Sequence, residues 1–307
     1  MILDLATVKT GMQLNDVDVY FQSFCRRSYG TEGKYSGDGV LYCDGVTLDV
    51  KIWDMFLVDT MLKTGFVGKV ATVSGSISEY KGKLQFVLTK VAVNDSFTKV
   101  DFLPQCGVEE NKNEFFAFIN NNISQPYIKA LLEVFNGEDI MSDFCKEFAG
   151  SKMHDAKVGG LTHHTLKMLK IAQTVVYNDG RLTPYSDLIY SGVILHDIGK
   201  VKEMNLGTYT TNSFVTHRLF GCEMLARHKE AIVSYIGETN YYHLQAIIQG
   251  HHGQWGESPK TVWAYIIHLI DMIDSAVTCI LDKLDRGEFS EENGLKSVYI
   301  NDSNLTV

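Results

Sequence analysis

The hydrophobic period of the chain changes once along its length, and that change divides what each half can fold into. Through about residue 100, apolar and polar residues alternate, as in "DVDVYFQSFCRRS", "GVTLDVKIWD" and "GKVATVSGSISEYKGKLQFVLTKVAV". Successive side chains of a strand point to opposite faces, so period two with many β-branched and aromatic residues specifies strands. Lys81-Gly82 falls between two such runs and reads as a hairpin turn. Four or five short strands in this length predict a small closed barrel or sandwich. From about Asn113 the spacing becomes helical. "HHTLKMLKIAQTVV" sets His164, Met168, Ile171 and Val175 on one helical face. "PYSDLIYSGVILHDIG" opens with Pro184 and a Ser186 cap and stops at Gly199, and "TVWAYIIHLIDMIDSAVTCILDKL" is a long late helix. The expected fold class is multidomain α and β, a β-barrel over 1–100 followed by an all-α domain over 126–290. Residues 101–125, around "DFLPQCGVEENKNEF", are the expected connector, and 291–307 a C-terminal tail.

Charge and cysteine usage narrow the function classes. The net charge is −9. Residues 1–100 hold 11 Lys and Arg against 11 Asp and Glu, and residues 101–307 hold 17 against 26. An acidic second half repels nucleic acid unless bound cations reverse the local field. The six cysteines include no CxxC pair, which points to free thiols in a reducing cytoplasm and away from a zinc ribbon. No apolar run reaches the ~18–20 residues of a spanning helix. The opening "MILDLATVKTGMQLND" has none of the regions of a secretion signal. The expectation is a cytoplasmic protein with no membrane partner and with self-association left open.

All ten histidines lie between His154 and His268. Several stand beside each other or beside acids: His164, His196-Asp197, His217, His251-His252, and then His268, Asp271 and Asp274 at intervals of three. A metal site built on helices draws single inward ligands from several of them. Imidazole nitrogens and carboxylate oxygens suit Mn²⁺, Fe²⁺, Co²⁺, Ni²⁺ or Zn²⁺, with Mn²⁺ placed first, as one or two ions. Glycines beside the His251-His252 pair leave room for a metal or a phosphate to approach the backbone. For any single histidine a core or surface role is the commoner outcome; the joint pattern is what points to a site.

The order His164, His196-Asp197 and Asp271, with "HDIGK", resembles the HD superfamily of metal-dependent phosphohydrolases. His217 and His251-His252 are similar to the extra histidines of its two-metal members. "GVTLDVKIWD" and "SGSISEYKGKLQFVLTKV" look like the OB fold that precedes the HD domain in the YhaM family of 3′–5′ exoribonucleases. "KMHDAKVGGLTHHTLKMLKIA", "SGVILHDIGKVKEM" and "HHGQWGESPK" resemble that family too, so the likeness covers roughly residues 12–290. It implies phosphodiester hydrolysis from the 3′ end of a single strand, RNA foremost and DNA as a variant. It also implies that Asp197 bridges the metals, that His164, His196 and Asp271 complete the first, and that His217, His251 and His252 hold the second. Asp197 and Lys200 are the expected catalytic residues, with Lys200, four residues after His196, reaching a phosphate oxygen. Asp274 is expected as a partner of a ligand or a surface charge, His268 as structural, and His154 and His163 as bystanders.

An OB fold grips single strands by stacking bases on aromatics beside cations. Arg26, Arg27, Trp53, Tyr80, Lys81 and Lys83 are the leading candidates, with Phe24, Tyr29, Tyr35 and Phe86 behind them and Trp255 beside the histidine pair. The barrel half is neutral, whereas strand-gripping surfaces are usually basic. A small substrate in the same HD site (a nucleotide, dinucleotide or cyclic nucleotide) is therefore the alternative. A catalytically silent binding module is a third reading and predicts missing ligands, yet none of the core four is missing.

Overall fold

The computed structural model describes residues 1–30, 33–137, 139–151, 155–253, 256–285, 291–292 and 295–296. His154, Trp255 and most of the expected tail lie outside the described residues. The chain forms two compact units, 1–104 and 105–307.

The first unit is a closed five-stranded barrel built from β1 (Gln13–Ser28), β2 (Tyr35–Cys43), β3 (Val46–Ile52), β4 (Val70–Tyr80) and β5 (Lys83–Val93). The strand order is β1-β2-β3-β5-β4, with β4 pairing back onto β1 and only β3–β5 parallel. This is the five-stranded Greek-key closure of an OB-type barrel. Alternation fills its interior with Val19, Phe21, Leu41, Val50, Ile52, Val73, Ile77 and Phe86. Lys81 and Gly82 both have positive φ, 52° and 77°, and Tyr80 pairs with Lys83 across them. That is the two-residue hairpin whose twist matches the strands. A short helix, α1 (Met55–Thr64), lies between β3 and β4, where no helix was expected. Asp54 caps it by accepting from the Phe56 and Leu57 amides, and Val58 and Met61 are buried.

β1 carries a register shift between Phe21 and Ser23. One extra residue reverses which face each later side chain takes. Phe21 therefore points into the barrel, while Ser23, Cys25 and Arg27 line a groove on its outside and Phe24 packs back on the core.

The second unit is helical. Its elements are α2 (Val108–Asn122), α3 (Gln125–Phe135), α4 (Ile140–Lys146), α5 (Gly160–Asn178), α6 (Ser186–Leu195) and α7 (Lys200–Glu203). A two-residue strand pair follows, β6 (Met204–Asn205) with β7 (Thr208–Tyr209), then α8 (His217–Arg227), α9 (Lys229–Ile236), α10 (Glu238–Gly250) and α11 (Val262–Asp285). A last ladder pairs β8 (Glu291–Glu292) with β9 (Leu295–Lys296). The expected connector at 101–125 is largely α2, and its Phe115, Phe118 and Ile119 sit in the helical core with Leu161, Met168 and Val193. Ser186 is the first helical residue of α6 and makes no side-chain cap bond. Residues 188–195 of α6 are all buried, so the strongly apolar run is a central helix. By length and composition α11 also meets what a membrane-crossing helix needs, with mean hydropathy 1.6, although its Ala264, Ile267 and Ile270 belong to the helical core.

Candidate metal centre

Five helices bring the histidine pattern to one place. His164 lies on the first turns of α5, buried at the core. His196 caps the C-terminus of α6, donating its amide to the Gly192 carbonyl, and Asp197 follows in the turn leading to α7. His217 opens α8, His251 and His252 follow the last turn of α10, and Asp271 is on α11. Asp155, His164 and Asp274 form one group of ligand atoms within 4.8 Å of one another, and two more groups of that kind meet at the histidine pattern: His164, His196 and Asp197; and Asp197, His217, His251 and His252. Asp197 belongs to both. Its Oδ2 lies 3.2 Å from His196 Nε2, and its Oδ1 lies 3.4 Å from both His217 Nε2 and His251 Nε2. Asp271 Oδ1 is 3.4 Å from His164 Nε2. The residues expected as ligands therefore lie together, with His164, His196, Asp197 and His251 buried and His217, His252 and Asp271 partly exposed at the edge.

Backbone and carboxylate partners set the imidazole orientations. His196 Nδ1 lies 2.6 Å from the Val193 carbonyl oxygen, and His251 Nδ1 2.9 Å from that of Ile248. A carbonyl only accepts, so Nδ1 carries the proton and Nε2 of each ring presents a lone pair to the cluster. His217 Nδ1 is held at 2.8 Å by Glu203, and His164 Nδ1 at 2.7 Å by Asp274. Outer partners of this kind orient metal-ligating histidines. His217 Nε2 and His252 Nε2 face each other at 2.9 Å.

A cation fits the donor set. His196 Nε2, His251 Nε2 and Asp197 Oδ1 are buried and have no hydrogen-bond partner among the described residues. Leaving a polar atom buried in that way costs about 1–3 kcal/mol each. Convergent imidazole and carboxylate acceptors are what a first-row divalent ion satisfies.

The charges of Asp197, Asp271, His251 and His252 agree with that reading. Burial would raise the Asp197 carboxyl, but Lys200 and His196 outweigh it and hold it well below the usual carboxylate range. Burial likewise opposes ionisation of Asp271, and the facing His164 holds its carboxyl low. Burial pushes His251 down to about 4, against the pull of Asp197. His252 goes down to about 2, from burial and then from His251 beside it. Both are neutral at pH 7 and able to donate lone pairs. His164 goes the other way: burial disfavours its charge, but Asp271 and Asp274 overcome this and push it up to about 9.

Lys200 departs from expectation. Its side chain is buried, with Nζ 2.6 Å from Asp197 Oδ2 and 2.5 Å from the Ala149 carbonyl oxygen. It holds Asp197 and does not reach outward for a phosphate. The glycine before it has a distinct task. A Cβ on Gly199 would land on the His217 carbonyl oxygen and 2.6 Å from the Gly221 amide, so only glycine lets the N-terminus of α8 approach the His196-Asp197 turn. His268 is structural, as expected, and ties α11 to the histidine pair with Nδ1 2.6 Å from the His251 carbonyl oxygen. His163 is half-buried against Asp155 at 2.8 Å. Glu203 was missed; its only signal was its place on the short segment after "HDIGK".

On the barrel, a groove of roughly 740 Å³ gathers Arg27, Trp53, Tyr80 and Lys81 with Lys51, which sequence reasoning did not select. Trp53 and Tyr80 are 53% and 60% exposed, enough to offer a ring face. Tyr29 meets Trp53 edge to face, and Lys51 lies 4.6 Å over the Trp53 ring. Asp38 pairs with both Arg27, at 2.9 Å, and Lys51, at 2.6 Å, which moderates the positive charge. Arg26 and Lys83 do not line the groove. The register shift sends Arg26 to the other face, over the Tyr35 ring. Phe86 is fully buried, Phe24 packs on the core, and Tyr35 is partly buried with its hydroxyl donating to Asp59.

Relatives agree with this architecture. The 3′-5′ exoribonuclease YhaM of Halalkalibacterium halodurans is 30% identical over 270 residues, covering 80% of this chain and 79% of that protein. The chain belongs to the YhaM family. The Oceanobacillus iheyensis member is 26% identical but aligns over 92% of this chain and 94% of its own length. Residues 161–286 match the HD domain family, the stretch that carries every candidate ligand. Among solved structures, the second OB-fold domain of replication protein A from Methanococcus maripaludis aligns over 32% of this chain at 15% identity with a TM-score of 0.24. The barrel assignment rests on the strand pairing above.

Proposed function

We propose that this YhaM-family chain is a metal-dependent 3′–5′ exonuclease acting on single-stranded RNA. The observation that carries the proposal is the shared carboxylate of Asp197 beside the buried Nε2 atoms of His196 and His251, which have no hydrogen-bond partner among the described residues. His164, His196, Asp197 and Asp271 would hold one divalent ion and Asp197, His217, His251 and His252 a second, with Mn²⁺ the first choice. Such ions, when bound, polarise phosphoryl oxygens and lower the pKa of water.

The remaining work falls to the protein's own groups. Lys200 keeps Asp197 ionised and fixed. The carbonyls of Val193 and Ile248 fix the tautomers of His196 and His251. On the barrel, Trp53 and Tyr80 offer stacking faces and Arg27, Lys51 and Lys81 offer backbone charge, the combination that grips single strands. The free thiols Cys25, Cys43, Cys106, Cys145 and Cys222 support a place in the cytoplasm.

The test is a time course on 5′-labelled single-stranded RNA with Mn²⁺, beside His251→Gln and a chelated control. A ladder shortening from the 3′ end, absent from both controls, is the expected result. Intact RNA despite bound Mn²⁺ would overturn the nuclease reading and move the assay to small nucleotides.

A further inference from the structure

The strongest unassigned feature lies behind His164, on the side away from the other ligands. Lys167 sits three residues further along α5, and its ammonium meets three oxygens from two other segments. Nζ is 2.8 Å from Asp155 Oδ2, 3.1 Å from Asp274 Oδ1, and donates to Thr278 Oγ1 at 2.7 Å. Asp274 and Thr278 stand four apart on α11, hence on one face, and Asp155 is in the loop preceding α5. The ammonium thus has an oxygen within 3.1 Å on each of three sides, one by hydrogen bond and two by ion pair, which holds the lysine in one position.

The consequence passes through Asp274. One of its oxygens takes Lys167 and the other takes His164 Nδ1 at 2.7 Å. A carboxylate engaged at both oxygens from different directions cannot rotate, so the imidazole it holds cannot tilt. Asp155 fixes the lysine from the far side. It is buried, and its other oxygen is 2.8 Å from His163 Nδ1. Without the ammonium, Asp155 and Asp274 would be two carboxylates around one buried space. Their repulsion would turn Asp274 away from His164.

We propose that Lys167 is a positioning residue of the metal centre, holding Asp274 so that His164 keeps its Nε2 aimed at the cluster. The inference rests on the metal-centre reading above. Loss of an outer partner of this kind costs about 10–100-fold in metal affinity or activity.

The experiment measures the Mn²⁺ dissociation constant of the full chain by the paramagnetic resonance of free Mn²⁺, for the parent, Lys167→Met, Asp155→Asn and Thr278→Val. Thermal unfolding in EDTA reports folding independently. Lys167→Met is expected to weaken Mn²⁺ binding about tenfold or more, with Asp155→Asn and Thr278→Val changing it in the same direction by less. At saturating Mn²⁺, KM for single-stranded RNA should stay unchanged while kcat falls. Because Lys167 acts through Asp274, adding Lys167→Met to Asp274→Asn should weaken Mn²⁺ binding no further. A folded Lys167→Met that binds Mn²⁺ within twofold of the parent overturns the proposal. If Lys167→Met does not fold, Asp155→Asn and Thr278→Val decide in its place, and parental affinity in both overturns it. A parent chain that binds no Mn²⁺ overturns the metal-centre reading itself, a different failure from a parent that binds and a variant that binds equally.

Discussion

Asp197→Asn is the most informative perturbation, because the structure makes it a stability experiment as well as a functional one. The Lys200 ammonium is buried with two oxygen partners, Asp197 Oδ2 at 2.6 Å and the Ala149 carbonyl at 2.5 Å. Asparagine keeps the shape and removes the countercharge. Breaking a buried ion pair from one side costs about 3–5 kcal/mol. For a unit of this size each kcal/mol moves the melting temperature by about 2–4 °C, so the helical unit should melt about 6–20 °C lower. Lys200→Met added to Asp197→Asn removes the stranded charge and should recover at least half of the loss, since replacing a whole buried pair with apolar groups is often neutral. The assay is thermal denaturation in EDTA, which separates this effect from metal binding. The sign with pH follows from the low folded pKa of Asp197. A depressed carboxyl contributes stability above its unfolded value of about 3.9 and loses it as pH falls toward the folded value. The gap between parent and variant is therefore full at pH 7 and should narrow below about pH 4. A single variant melting within about 2 °C of the parent at neutral pH, less than the shift of 1 kcal/mol, would refute the pairing argument.

Mn²⁺ at a hundred times its dissociation constant should stabilise the helical unit by about 2.7 kcal/mol, raising its melting temperature by about 5–11 °C, and EDTA should reverse this in differential scanning calorimetry. Gly199→Ala forces the His217 carbonyl away and should cost about 1–3 kcal/mol by the same calorimetry, with loss of RNA cleavage. Trp53→Ala should weaken single-stranded RNA binding by about 1–3 kcal/mol in fluorescence anisotropy, the worth of a stacked base. Arg26→Ala, on the other face over Tyr35, should leave that binding unchanged.

Periodicity and residue type carried much of this to the reader of the sequence alone. The Lys81-Gly82 hairpin and the barrel were legible because each depends on local spacing, and the residues from His164 to Asp271 that the structure gathers were singled out by side-chain chemistry together with the likeness to the HD superfamily. The misses share a cause, since each depends on a partner distant in sequence. Lys200 was expected to reach a phosphate oxygen because nothing near it reveals the Ala149 carbonyl waiting 51 residues upstream. The parity of Arg26 was hidden by the register shift after Phe21, which no propensity marks. In α2, "VEENKNEFFAFINNN" is polar over its first half, so its core contacts at Phe115 and Phe118 passed for a connector.

The position of Asp197 in both ligand groups has a thermodynamic consequence. A carboxylate with one oxygen toward His196 and the other toward His217 and His251 cannot adjust to one side without presenting a changed face to the other. Under the two-ion reading proposed above, occupancy of either half is reciprocally linked to occupancy of its neighbour, with one coupling free energy in both directions. A calorimetric titration should follow a coupled isotherm and not the sum of two independent ones, and the turn between α6 and α7 is where that cooperativity resides.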